Sequence, residues 1–143
     1  MAIRGSDPRG EDGFSLIEVL VVVLILAMLA AIALPSFLHQ QKKAQDADAK
    51  MSARELVSHV EACYVEKDKY TLCDSPAELP TIMNLAYGNQ AGQVEIVGAG
   101  DDSFTVIGHS RSGADFRIVK TGGQHPERTC SPRDGGCSDD GTW

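Results

Sequence analysis

Residues 13–38 read GFSLIEVLVVVLILAMLAAIALPSFL, and the reading of the whole chain turns on them. Residues 19–34 are apolar without interruption. As a helix rising about 1.5 Å per residue, positions 14–38 would span ~37 Å, enough to cross a hydrocarbon core of about 30 Å once. A single-pass anchor would read this way, and so would a secretory signal cut after Ala31-Ile32-Ala33. Two details fit neither. Residues 1–13 set Arg4 and Arg9 against Asp7, Glu11 and Asp12, so the leader lacks the positive excess of a general secretory signal. Glu18 then sits inside the apolar run, where an ionised carboxylate without a partner costs several kcal/mol and marks a functional residue by default.

Charge divides the rest of the chain. The 143 residues carry 13 Lys plus Arg against 20 Asp plus Glu, a net charge of -7. Residues 39–70 balance six basic against six acidic side chains, whereas residues 71–143 hold five basic and ten acidic ones. The acidity belongs to the C-terminal half, which argues against strong nucleic-acid binding through phosphate neutralisation. The length suits one domain beyond the apolar segment.

The Gly13-Phe14-Ser15-Leu16-Ile17-Glu18 junction, the long apolar run and Leu34-Pro35-Ser36-Phe37-Leu38 together resemble the N-terminus of bacterial type IV pilins and pilin-like prepilins, with pseudopilins as close relatives. The resemblance implies that an aspartyl prepilin peptidase cuts between Gly13 and Phe14 and that the new N-terminal Phe14 is N-methylated. It also implies that Glu18 pairs with the N-terminal amine of a neighbouring subunit during assembly. Docking a neighbour would relieve the penalty on a lone carboxylate. Pro35 removes one backbone donor, so a kink is expected there, and in the family a proline at this place accompanies curvature and partial melting of the helix in the fibre. The acidic Glu11-Asp12 departs from the basic leaders common in the family. The implied division is a leader at 1–13, a transmembrane and assembly helix at 14–38, and an extracytoplasmic head at 39–143.

Beyond Leu38 the chain stays rich in Ala, Lys, Glu and Gln, and Ala53, Leu56, Val57, Val60, Cys63 and Tyr64 recur three and four residues apart. That period predicts an amphipathic helix continuing to about Lys67. Residues 71–92, broken by Pro76, Pro80, Gly88 and Asn89, read as a loop. Alternating segments near 93–98, 103–110 and 114–121 predict three antiparallel strands, with a fourth left open. The expected fold is α+β: a long N-terminal helix, half transmembrane and half amphipathic, packed on a small antiparallel sheet.

So small a core calls for covalent help. Cys63, Cys73, Cys130 and Cys137 all follow the apolar segment and admit three connectivities. Local pairing, Cys63 with Cys73 and Cys130 with Cys137, is the expectation taken here. Zinc is the rival, but His59 and His109 show no ligand spacing. The segment from Cys130 to Trp143 is similar to the terminal disulfide loop of some pilins. Trp143 reads as an aromatic plug for the head, with a subunit contact as the alternative. Asp134, Asp139 and Asp140 invite a calcium reading, with solvated loop acids as the simpler one; no metal or cofactor is expected.

Catalytic signatures such as G-x-S-x-G, H-E-x-x-H and the P-loop are missing, so no catalytic residue is assigned. His39 lies at the membrane edge and the other histidines read as surface residues. Lys42, Lys43 and Lys50 read as a basic anchor near the membrane surface. The function that follows is structural: a filament subunit made as a single-pass precursor in the cytoplasmic membrane, then displayed in an extracellular pilus. Its partners would be copies of itself, the prepilin peptidase, and an assembly machinery with a membrane platform and an ATPase. The alternatives are a pseudopilin of type II secretion or a membrane-tethered binding module.

Overall fold

The computed structural model describes residues 13–79 and 84–143. The leader positions 1–12, and Pro80 of the loop, lie outside the described residues. Two compact units emerge, a helical one ending at Phe37 and a head, Leu38–Trp143.

Helix α1 is Leu16–Lys67, with Pro35 in its interior. Leu, Ala, Lys, Gln and Glu, all strong helix formers, make up most of residues 38–67, and α1 contains no Gly. The helix stops at Asp68, whose φ of 59° is left-handed and whose N–H bonds back to the Tyr64 carbonyl at 2.8 Å. A left-handed residue closes a helix C-terminus, and Asp tolerates that conformation better than most.

The head carries a four-stranded antiparallel meander in the order β1-β2-β3-β4, formed by Val94–Ala99, Ser103–His109, Asp115–Thr121 and Glu127–Ser131. The first three fall within a residue of the segments marked by alternation. The fourth reads ERTCS, too polar to announce itself, and is a strand because its backbone pairs with β3 from Asp115↔Ser131 to Val119↔Glu127. In β1 the register shifts between Ile96 and Gly98, a bulge that leaves Val97 exposed. The α+β fold read from the sequence, a long helix with a small antiparallel sheet, is the fold observed.

Ala53, Leu56, Val60 and Cys63 of α1 are buried together with Val94, Phe104, Val106 and Ile118 of the sheet, while Val57 and Tyr64 of the predicted stripe are only partly buried. The stripe also reaches further towards the N-terminus than its apolar residues suggest, because Asp46 and Ala49 are buried as well. Ala49 belongs to a second cluster with Ala114, Phe116, Cys130 and Cys137. Helix and sheet approach most closely at Gly108, where a Cβ would overlap the Ala49 carbonyl oxygen and lie 3.3 Å from the Ala53 Cβ. Gly108→Val is therefore expected to destabilise the head by about 3 kcal/mol, since over-packing against backbone cannot be relieved by a rotamer change. Denaturant titration of the full chain in detergent, followed by Trp143 fluorescence, measures it; an unchanged midpoint would contradict the packing.

Candidate assembly site

Gly13, Phe14 and Ser15 precede α1 without helical structure, and the Ser15 carbonyl accepts from the N–H groups of Glu18 and Val19 at 3.0 and 3.2 Å. The helix thus begins just past the Gly13–Phe14 bond. Ser15 with Glu18 three residues on has the form of a capping box, and an acid in the first turn suits the positive end of the helix dipole. Phe14 is 82% exposed, and Glu18 is exposed in the same turn.

The apolar residues that follow bury nothing within the chain: Leu20, Leu24, Met28, Ile32 and Leu38 are all more than half exposed or at half. A helix apolar on every side needs lipid or other helices around it, and this one is long and apolar enough to cross a membrane. Pro35 has no N–H to offer the Ala31 carbonyl, one turn earlier.

In the head, one residue overlooked by periodicity holds several elements together. Asp46 is 1% exposed. Its Oδ1 accepts from the hydroxyls of Ser110 and Ser112 at 2.7 and 2.5 Å, and its Oδ2 accepts from the Gly136 N–H at 2.7 Å. One turn on, the Lys50 ammonium donates to the Gly136 carbonyl. This carboxylate clasps the β2–β3 turn and the C-terminal loop onto α1. The available signal was its place on the apolar stripe, three residues before Ala49 and seven before Ala53, with Ser110 and Ser112 as the hydroxyls to meet it.

The reading of Lys42, Lys43 and Lys50 as one anchoring patch needs correction. Lys42 pairs with Asp134 at 3.4 Å, and Lys50 is half-buried over the Phe116 ring, 5.0 Å from its centroid. Lys43 and Lys42 are exposed, so Lys50 is the member that leaves the patch. His109 is likewise no simple surface residue: its side chain is 16% exposed, with Nδ1 2.7 Å from Asp115 and Nε2 3.2 Å from Glu95. His39 and His125 are exposed and His59 is half-buried.

Cys63 is bonded to Cys73 and Cys130 to Cys137, with Cα separations of 5.9 and 5.7 Å. The first bond ties the end of α1 to the following loop, and the second closes the segment that Asp46 grips. Trp143 is half-buried; its indole N–H donates to the Thr129 carbonyl at 3.0 Å and its ring meets Phe116 edge-on at 5.7 Å. The three candidate calcium acids do not converge. Asp134 is held below the usual carboxylate range by the Gly135 N–H and then Lys42, Asp140 by the hydroxyl and N–H of Thr142, and Asp139 is exposed. Among the described residues no three His, Cys, Asp or Glu side chains are grouped to hold a metal.

At the other end of the head, Glu61 binds Lys120 at 2.6 Å and accepts from the Tyr70 hydroxyl at 2.9 Å. Tyr70 stacks on Tyr64 at 4.1 Å. Burial, then the bond to Glu61, raises the Tyr70 phenol above its ordinary 10.0; the bond to Glu61 raises Lys120 above 10.5 despite burial. Both groups therefore hold their protons longer when folded, so their contribution is complete below about pH 10 and is lost as pH rises through the raised values. Lys50, lowered mainly by burial and against the pull of Asp46, works in the opposite sense. With Lys50→Met removing that opposition, the unfolding midpoint should fall as pH rises above about 10, and adding Glu61→Gln should flatten the fall. Melting curves over that range check it; equal slopes with and without Glu61 would contradict the assignment.

Residues 8–34 match the family described as the prokaryotic N-terminal methylation motif. The chain is 37% identical over 71 residues to the type IV major pilin protein PilA of Myxococcus xanthus, a match covering 50% of this chain and 32% of that protein. It is 28% identical over 124 residues to the type IV wide pilus major component PilA4 of Thermus thermophilus, covering 85% of this chain and 91% of that one. The Myxococcus match thus spans about a third of its relative, whereas the Thermus match runs nearly end to end. No solved structure matches the chain.

Proposed function

We propose that this chain is a type IV pilin-like protein of the N-terminal methylation class, cut between Gly13 and Phe14, methylated on Phe14 and polymerised through α1 into a surface filament. It is a structural subunit and not an enzyme. The observation that carries the reading is the exposed apolar stretch of α1, which begins at the proposed cut and has one carboxylate, Glu18, near its start.

In the membrane the stretch is solvated by lipid; in the filament, helices of other copies replace the lipid and the heads remain outside. Once Phe14 carries a free amine, cationic near neutral pH, the Glu18 carboxylate of a neighbour is its natural partner, and a buried pair of this kind fixes register more than it adds stability. The peptidase, the membrane platform and the ATPase are the partners this route requires. Both relatives are pilus components by name, which favours a pilus over a secretion pseudopilus, and a tethered binding module would have no need of Glu18.

The test is the N-terminus and its mass, measured on protein from membranes and from sheared surface material. A chain beginning with N-methylated Phe14 in the sheared fraction is the expected result. An intact Met1, or a start at Leu34, would return the apolar run to an anchor or a conventional signal.

A further inference from the structure

Three cations surround Trp143: the Lys50 ammonium, the Arg54 guanidinium and the Arg128 guanidinium lie 5.8, 5.0 and 5.5 Å from its ring. A ring face attracts such cations, but it does not neutralise them. The ion pairs among the described residues join Lys42, Lys67, Lys69, His109 and Lys120 to carboxylates and use none of these three. Arg54 and Arg128 are exposed. In a chain of net charge -7, two exposed guanidiniums that share one aromatic ring, neither within ion-pair distance of a carboxylate, make a local positive patch.

The complementary surface lies at the end of the head where α1 terminates. There Glu66, Asp68, Asp74, Glu78, Asp101 and Asp102 are exposed and meet Lys67 and Lys69. Lys67 pairs with Glu78 and Lys69 with Asp101, so Glu66, Asp68, Asp74 and Asp102 are left in excess. The Tyr70 N–H donates to the Asp101 carbonyl at 3.2 Å, and the Thr71 hydroxyl donates to the Asp101 side chain at 3.3 Å. Those bonds gather the helix end, the disulfide loop and the β1–β2 turn into one acidic end. Along α1, Arg54 and Asp68 are ~21 Å apart at about 1.5 Å per residue.

We propose that the Arg54–Arg128 patch around Trp143 receives the acidic end of a neighbouring copy, carrying Asp74 and Asp102, as a head-to-tail contact within the filament. This rests on the subunit reading and adds to it a contact outside the helical core. Because the two surfaces differ, the contact is heterologous, and repetition of a heterologous contact that does not close on itself builds an open helical array. Long-range attraction between the patches also orients an incoming subunit before its helix docks.

Charge exchange in the full chain, expressed in a filament-forming cell, tests the contact. Arg54→Glu with Arg128→Glu should lower sheared filament at least ~5-fold at physiological salt, and so should Asp74→Lys with Asp102→Lys. The four changes together should restore most of the yield, a recovery that a role confined to one head would not give. The deficit of each double variant should also change with ionic strength, because exposed charges are screened beyond about 8 Å. The membrane-held pool, assayed for both disulfides, reports folding, and the acidic-end variant serves where the arginine variant is degraded. Unchanged filament yield in the acidic-end variant, or no recovery in the fourfold variant, would overturn the contact while leaving the subunit reading intact. Lack of filaments from the unaltered chain would overturn both.

Discussion

Replacing Glu18 by Ala is expected to leave membrane insertion intact and to reduce filament yield at least ~10-fold. Insertion should be unharmed because the change removes the one charged side chain from residues 14–38, and charges are what oppose insertion. Assembly should fail because the amine of a processed Phe14 would enter an apolar helix bundle without its carboxylate. Removing one member of a buried pair costs about 3 to 5 kcal/mol, and about 1.4 kcal/mol already shifts an association equilibrium tenfold. Glu18→Gln keeps an acceptor of the same shape and should fall between Ala and the unaltered chain. The membrane-held and sheared pools, quantified side by side, give the answer; a normal sheared yield from the Ala variant would count against pairing.

The second large effect belongs to Asp46. Asp46→Ala should destabilise the head by about 3 kcal/mol, because the hydroxyls of Ser110 and Ser112 and the N–H of Gly136 lose their acceptor together. Each buried donor left unpaired costs about 1 to 3 kcal/mol, and relaxation keeps the three from adding in full. Against a typical total of about 5 to 15 kcal/mol, such a loss is large. Asp46→Asn retains one acceptor oxygen and should lose less. Denaturant titration in detergent measures the loss, and limited proteolysis should find the segment from Cys130 to Trp143 opened first. An unchanged midpoint in the Ala variant would mean that Asp46 does not hold that segment in place.

These two carboxylates mark the boundary of what a sequence discloses. Glu18 stands out because its surroundings are contiguous: an acid at the edge of an uninterrupted apolar run is anomalous whatever the fold, and the Gly13-Phe14 junction just before it prompts the proposed pairing. Asp46 was not, because its partners stand 64 to 90 residues away. Read locally, it is one acid among the Gln, Lys and Ala of a solvated helix face. Likewise, the alternation of Phe104 with Val106 and of Phe116 with Ile118 announced two strands, whereas β4 exists because β3 offers it a ladder.

The charge groups divide in the same way. Lys42 and Lys50 look like members of one basic patch until the C-terminal loop folds back, when one meets Asp134 and the other is half-buried beside Phe116. The acids at 134, 139 and 140 look like a cluster until Asp134 and Asp140 turn to local N–H and hydroxyl donors. Periodicity and local composition fix what a segment can do alone, so the membrane-length helix, its amphipathic continuation and three strands were settled by the sequence. Burial, hydrogen-bond partners and the pairing of charges depend on contacts between segments far apart in the chain, so the Asp46 clasp, the fourth strand and the cations around Trp143 were decided only by the tertiary structure.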